Sequence, residues 1–415
     1  MAKIVYRDEN VLAAARRRIG LMLDATERAY IAFSGGKDST VLMHLVMEAA
    51  IARNRKVAVM ISDLEAQYAA TIEHVQRMVD MYRDHIELHW MCLPVNLRNA
   101  VTNYEPQWQA WDPDKFDIWV RHPPKDAITD VNFYPWFQRG MEFEELVVLF
   151  GKWYSQGKLT AGFVGIRAQE SLNRYMAVAG WEKRELMLNG WRWTTKVTGQ
   201  VYNTYPIYDW KSEDIWRFHG MYPDKPHNPI YDKMQMAGVP LSQQRLCQPY
   251  GDDQRKGLWL YHILEPQTWP KLIARVNGAN YGSLYAGEHG NVLGQGKIKL
   301  PPGHTWQSFT NLLLRSLPKS SRDHFTENFK RFITGWKRRG YDEIPDEAPP
   351  ELEANSWAPS WRRMCKTLLR NDWWCKGLGF TQPKSEAWMK YKSLTAAKKE
   401  RAKMEQIVLF KEDAA

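Results

Sequence analysis

Cysteine is scarce in this chain. Four occur among 415 residues, Cys92, Cys247, Cys365 and Cys375, with no Cys-x-x-Cys pair and no metal-ligand spacing. Thiolate metal sites and redox dithiols use such pairs, so neither is expected, and the usage fits a reducing cytosol. Long apolar runs are missing too. The opening "MAKIVYRDENVLAAARRRIG" is charged throughout, which argues against a secretory leader, and no apolar run reaches the ~20 residues that cross a bilayer. The expectation is a soluble, cytoplasmic protein with no membrane partner. Internal repeats and long low-complexity tracts are also absent.

Positive charge and tryptophan are in excess. Lys and Arg number 57 against 47 Asp and Glu, a formal net charge of +10. That balance favours acidic partners, meaning nucleotides, nucleic acid or an acidic protein, without choosing among them. Twenty Trp and nineteen Tyr sit mostly after residue 90. Beside Arg and Lys they suit base stacking, although an aromatic-rich core is the commoner use. At ~150 residues per domain the length allows two or three domains.

The stretch "YIAFSGGKDST", Tyr30 to Thr40, carries the most chemistry. Tyr30 to Phe33 form a short apolar run without helical period, whereas Val41, Leu42, Leu45, Val46 and Ala49 recur at helical spacing. The reading is strand, tight loop, helix. Gly35 and Gly36 allow successive backbone amides to converge on an anion, and the helix N-terminus adds partial positive charge. Phosphate is the natural guest. Lys37 supplies a point charge, and Ser34, Ser39 and Thr40 supply hydroxyls or a helix cap. Asp38 would repel a bare phosphate unless a divalent cation bridges the two, which points to Mg²⁺. The spacing differs from the Walker loop, whose glycines are four residues apart.

Around the loop the chain alternates strand and helix. "ENVLAAARRRIGLMLDATE" reads as an opening helix, and Val57–Ile61 as a strand ending in Ser62 and Asp63. "TIEHVQRMVDMYRDH" then reads as a helix and "IELHWMCL" as a strand. This is the pattern of a parallel sheet covered by helices, with ligands at the carboxyl ends of strands. From about 96 to 141 it dissolves into an irregular insertion rich in Pro, Asp and Trp, read as a lid or partner surface. It resumes at "LTAGFVGIRAQES", a strand from Thr160 to Ile166 that delivers Arg167, Glu170 and Ser171 to its end. Arg167 there can clamp a phosphate or carboxylate, and Glu170 can fix it or bind metal; a structural ion pair is the alternative. In "VYNTYPIYDWKSEDIWRF", Asp209 reads as a polar end or cap and Ser212 as a helix start.

"SGGKDS", "GIRAQES" and "YPIYDWKSEDIW", in this order, resemble the phosphoadenosine phosphosulfate (PAPS) reductase family, within the N-type ATP pyrophosphatases, also called adenine nucleotide alpha hydrolase-like proteins. The resemblance covers about residues 25 to 250. It implies an α/β fold, a Rossmann-like, doubly wound, mostly parallel sheet with helices on both faces, binding ATP or PAPS. It further implies that Ser34, Gly35, Gly36, Lys37, Asp38 and Ser39 hold the phosphates, that Asp63 lies near nucleotide or metal with Asp38, and that Arg167 meets the phosphate or sulfate end. Reductases of the family attack with a cysteine in a Glu-Cys-Gly-Leu-His motif, and many adenylylsulfate-specific members add cysteine pairs for an iron–sulfur cluster. Neither motif occurs here, so no cluster is expected. Cys247 falls where a family cysteine segment could follow; as a nucleophile it would need Arg245 or Arg255, and a buried apolar role is favoured. Cys365 and Cys375 read as core residues, although a turn near Asn371 would permit a disulfide.

From about residue 256 the chain reads as a mainly helical, basic, aromatic-rich accessory domain following a nucleotide domain of residues 1–255. Helical spacing appears near 304–316, 318–338, 353–370 and 384–408. "KRFITGWKRRGYDEI" and "SWRRMCKTLLRNDWWCKG" mix basic and aromatic residues, compatible with nucleic acid or with a solvated face over a buried aromatic side. The leading expectation is an enzyme using Lys37, Asp38 and Arg167 to promote attack at the alpha phosphate of ATP, releasing pyrophosphate and adenylylating a nucleic-acid or sulfur-containing acceptor. PAPS reduction is the second. A nucleotide-sensing regulator of DNA or of a protein partner, without turnover, is the third.

Overall fold

The fold comes from a computed structural model that describes residues 8–102, 104–179, 187–252, 258, 260–279, 298 and 300–380. Helix α1 (Val11–Ala25) starts where the Asn10 side chain accepts the Ala13 N–H at 2.8 Å. The chain then runs through β1 (Arg28–Ala32), α2 (Lys37–Ile51), β2 (Val57–Ser62), α3 (Ala69–Tyr82) and β3 (Ile86–Met91). Strands β1 and β2 bury nearly every position, as strands covered on both faces must. A two-stranded ribbon follows, β4 (Asn96–Arg98) with β5 (Gln107–Gln109), and then α4 (Phe143–Ser155) and β6 (Thr160–Val164). After α5 (Leu172–Ala179), β7 (Thr194–Thr198) and β8 (Val201–Thr204) close the sheet, and α6 (Ser212–Met221) and α7 (Ile230–Met236) follow.

The sheet order is β3-β2-β1-β6-β8-β7. All neighbours are parallel except β7 with β8. The fold is therefore the expected mostly parallel α/β sheet with helices, followed by a helical C-terminal region. The chain winds outward from β1 to β3 and then returns to β6 on the other side of β1. That reversal makes the carboxyl ends of β1 and β6 a topological switch point, where such sheets open a crevice.

The insertion is tied down by a buried ion pair. Glu65, fully buried, accepts from Arg275 at 2.6 and 2.9 Å and from the backbone N–H groups of Trp111 and Val120 at 2.7 and 3.0 Å. Charges at this depth persist only when paired and hydrogen-bonded, and this carboxylate is saturated. The main core continues through Leu258, Tyr261, Leu272, Val276 and Ala279, with short helices α8 (Leu260–Leu264) and α9 (Trp269–Arg275). A second core gathers Phe325, Phe329, Phe332, Trp336, Met364, Leu368, Cys375 and Leu378.

Helices Trp306–Ser316 and Lys319–Lys337 match the expected spans. The helix expected over 353–370 is instead two, Pro350–Ala354 and Trp361–Leu369, because Ser356 takes a positive φ of 58° and Pro359 follows. The segment 384–408 lies outside the described residues. Trp336 and Phe332 of the basic segment are buried, so packing accounts for them as the alternative reading held. No helix among the described residues is long and apolar enough to cross a membrane.

Candidate active site

The loop between β1 and α2 turns where the sequence requires. Gly35 sits at φ +70°, and a Cβ there would meet Val75 Cγ2 at 2.7 Å, so both conformation and space select glycine. Asn228, ahead of α7, clamps the turn by donating to the Gly35 carbonyl at 2.9 Å and to Thr71 Oγ1 at 3.1 Å. The Ser34 and Ser39 hydroxyls meet at 3.0 Å, and Ser39 Oγ donates to the Gly36 carbonyl at 3.0 Å. The Lys37 N–H donates to the Tyr231 hydroxyl at 3.1 Å, and the Gly36 N–H to Ser34 Oγ at 3.4 Å. These loop amides rest on hydroxyl oxygens, acceptors of the same kind that phosphate presents.

Lys37 is buried. Its ammonium donates to the Gln244 carbonyl at 3.3 Å, lies 3.4 Å from Asp38 Oδ2 and stands 5.3 Å over the Tyr231 ring. Arg167, delivered by β6, is 2 % exposed and donates through Nε to Asp38 Oδ1 at 2.5 Å. Its Nη2 lies 3.6 Å from Glu170 Oε1, and Arg174 pairs with the other Glu170 oxygen. Backbone is close as well, since a Cβ on Gly165 would meet the Ser39 nitrogen at 3.1 Å. The fold thus joins two segments about 130 residues apart into one charged cluster of two carboxylates among three cations.

This cluster lies on the wall of a cavity of about 990 Å³. Ser34, Gly36, Lys37, Asp38, Ser39 and Glu170 line it, and Ala32, Met60, Val164 and Ile166 add an apolar shelf at the strand ends. Such a combination suits a ligand with a flat apolar part and an anionic part. Of the other expected residues, Gly35 forms the turn and Arg167 stands behind Asp38.

Asp63 does not join them. It is 1 % exposed, and its carboxylate is consumed by Trp90 Nε1 at 2.9 Å, by the Glu65 N–H at 3.0 Å and by Arg121. Those bonds anchor the insertion to the end of β2, and the metal and nucleotide roles expected of Asp63 have no support in this placement. Asp209 likewise ties α1 to the segment after β8, accepting both Arg18 donors at 2.9 and 2.7 Å. Among the described residues no group of three or more His, Cys, Asp or Glu is arranged to hold a metal ion. Asp38 and Glu170 have all four carboxylate oxygens facing Lys37, Arg167 or Arg174.

Two findings went unseen in the sequence. Cys247, expected to be buried, is exposed on the cavity wall beside Arg245, which donates to the Glu170 carbonyl at 3.2 Å. Its position depends on how 241–250 returns to the sheet, which no local pattern encodes. Cys365 and Cys375 are buried and free, although Asn371 between them does turn, at φ 48°. The second finding is that Trp373 and Trp374, from the C-terminal region, line the same cavity.

The sequence matches known families in two segments. Residues 28–237 match the phosphoadenosine phosphosulfate reductase domain, and residues 238–355 and 341–389 match a domain of unknown function (DUF3440). A protein of Escherichia coli (strain K12), described as uncharacterized protein YbdN, is 40 % identical over 393 residues, covering 94 % of this chain and 95 % of that one. Among solved structures, an FMN adenylyltransferase of Candida glabrata in complex with FMN and an ATP analogue aligns at 13 % identity and TM-score 0.31, covering 55 % of this chain and 64 % of that one. A phosphoadenylyl-sulfate reductase of Candida auris in a phosphate complex aligns at 10 % identity and TM-score 0.28, covering 56 % of this chain and 94 % of that one.

Proposed function

The chain belongs to the phosphoadenosine phosphosulfate reductase domain family, and from that premise we propose that it binds ATP and catalyses attack at the alpha phosphate, releasing pyrophosphate. The carrying observation is the meeting of the glycine loop, the buried Lys37 and an apolar shelf in one cavity, with Arg167 braced behind Asp38 on its wall. Pyrophosphate would rest on the amides of Gly35, Gly36 and Lys37 with the hydroxyls of Ser34 and Ser39. Asn228 fixes the turn through the Gly35 carbonyl, and the Lys37 amide would exchange its bond to the Tyr231 hydroxyl for one to a phosphate oxygen.

Arg167 and Lys37 would counter charge on the leaving group. Mg²⁺, held by Asp38 and Glu170, would neutralise phosphate oxygens when bound. An acceptor oxygen forms the new bond to the alpha phosphorus as the bond to the bridging oxygen breaks, and adenylylation leaves the acceptor activated for a second nucleophile. Whether that acceptor is a nucleic acid or a smaller compound is decided by the outer half of the cavity.

A second reading is favoured by Cys247 alone. On a sulfonucleotide, its thiolate would attack sulfur, the sulfur–oxygen bond to the phosphate would break, and adenosine bisphosphate would leave. An external dithiol would then release sulfite. Chromatography after incubation with Mg²⁺ and ATP, and separately with PAPS and a dithiol, distinguishes the two. Pyrophosphate is expected from ATP, together with AMP where water takes the place of the acceptor oxygen. Sulfite from PAPS that disappears in Cys247→Ser would replace the first reading by the second, and tight nucleotide binding without product in either mixture would favour a regulator.

A further inference from the structure

The cavity is lined by charges of both signs. Lys37, Arg174 and Arg245 stand with Asp38 and Glu170 at the loop end, whereas Glu142, the N-cap of α4, and Glu144 and Glu145 of its first turn make an acidic end that also holds Arg98. The acidic end is joined to the C-terminal region through the β4–β5 ribbon. Gln107 donates to Glu142 at 2.7 Å, its register partner is Arg98, and Arg98 lies 5.1 Å over the Trp373 ring. The opposite face of Trp373 stacks on His324 at 3.8 Å with the rings nearly parallel.

Trp373 is therefore fixed on both faces, and this holds its neighbour Trp374 at the cavity wall. Trp374 is half-buried and makes no ring stack or hydrogen bond with any described residue. On the same cavity the Tyr68 hydroxyl is buried, 2 % exposed by residue, and hydrogen-bonds to no described group. Burial and the neighbouring Glu144 and Glu145 carboxylates raise the Glu142 pKa, so this end favours added donors over added negative charge. At about 990 Å³ the cavity stands at the upper limit of the ~300–1,000 Å³ usual for one small ligand.

We propose that the outer end is the acceptor compartment, completed by Trp374 of the C-terminal region, and that it takes a small planar nitrogen heterocycle bearing an exocyclic amino group and a ring carbonyl, whose oxygen attacks the alpha phosphorus as pyrophosphate leaves. The flat ring stacks on Trp374, and the carboxylates accept from the amino group, as carboxylates do from the amino group of cytosine. The same carboxylates repel a polyphosphate backbone, so the acceptor enters free of a nucleic-acid chain. This rests on the reading of the loop end as the nucleotide site.

The test uses the full chain and calorimetry. A non-hydrolysable ATP analogue with a methylene bridge between the alpha and beta phosphorus is titrated first. Cytidine, uridine and a short single-stranded oligodeoxynucleotide follow, each on both the free and the analogue-saturated protein. Cytidine is expected to bind the loaded protein more tightly than uridine. Trp374→Ala is expected to weaken cytidine by ~10-fold or more, in line with the ~1–3 kcal/mol of base–aromatic stacking. Trp374→Phe is expected to retain most of the affinity, and Glu145→Gln to erase the preference over uridine.

The proposal is overturned if neither nucleoside binds, if both bind equally, or if the oligonucleotide binds in their place with the same dependence on Trp374. Loss of analogue binding in Trp374→Ala would put adenine itself on that tryptophan and also end the proposal. If the analogue fails to bind the unaltered protein, the nucleotide reading falls, while cytidine on the free protein still decides the compartment.

Discussion

At the scale of residues, Lys37 is the decisive group. It is the cation buried inside the loop, and its ammonium now leans on Asp38, a carbonyl and an aromatic face, partners that an incoming phosphate would outbid. Lys37→Ala is expected to weaken the ATP analogue by about 10-fold or more, the ~1.5–3 kcal/mol of a hydrogen bond to a charged group. Tyr231→Phe, which removes one neutral hydrogen bond to the Lys37 amide, is expected to change affinity less, by ~2- to 10-fold for ~0.5–1.5 kcal/mol. Equal binding by Lys37→Ala and the unaltered chain, measured by titration calorimetry, would remove the loop from the site. The loop could be read in advance because six consecutive residues specify its turn, its charge and its helix start. Asp63 could not, since Trp90 and Arg121, which take its oxygens, are distant in sequence and carry no mark of that role. Cys247 failed for the converse reason, because burial of a small residue depends on neighbours that only the fold supplies.

At the scale of elements, β1, β2, β3 and β6 were legible to within about two residues, whereas β7 went unread and the three-residue β4 and β5 are too short to show a period. The support beneath the loop was hidden as well. Helices α2, α3 and α6 pack there around three buried histidines. His74 meets Thr40 Oγ1 at 2.9 Å, His44 meets the Tyr82 hydroxyl at 2.7 Å, and His219 lies 5.3 Å from the His227 ring. Burial lowers His74 to about 3 and His44 and His219 to about 4. Arg77 and Lys225 reinforce these shifts at His74 and His44, while Asp224 opposes at His44 and Asp38 at His219.

The unfolded chain takes up these protons below its ordinary histidine value near 6.5, whereas the folded chain resists until about 4 or lower. Stability is then full above pH ~6.5 and falls as the pH drops through that window, by up to ~1.4 kcal/mol per pH unit for each histidine. Urea midpoints should fall clearly between pH 7 and pH 5. His44→Gln, which keeps a hydrogen-bonding side chain, should flatten the slope, and a midpoint constant over that range would refute the account.

At the scale of the whole molecule, Asn371 ties the second core to the first, beside the contact of Arg98 with the Trp373 ring. Asn371 donates to the carbonyls of Ala100 and Thr102, both at 3.0 Å, and its own oxygen accepts from Arg98 at 3.0 Å. Its left-handed backbone, φ 48°, aims the side chain back across the junction and sends Trp373 and Trp374 toward the cavity. Two substitutions separate these roles. Asn371→Gly removes the side-chain bonds but tolerates the backbone; Asn371→Ala removes them and also strains it, by roughly 1 kcal/mol more.

If the junction organises the outer compartment, both variants should lose amide-exchange protection together in 96–109 and 361–380, Ala more than Gly. Each bond lost is worth about 0.5–1.5 kcal/mol, so the protein should remain folded while the junction opens. Analogue binding at the loop end should survive and cytidine binding should weaken in both. Protection lost in only one of the two segments would mean that the C-terminal region does not lean on the ribbon, and that Trp374 owes its place at the cavity to something other than Asn371.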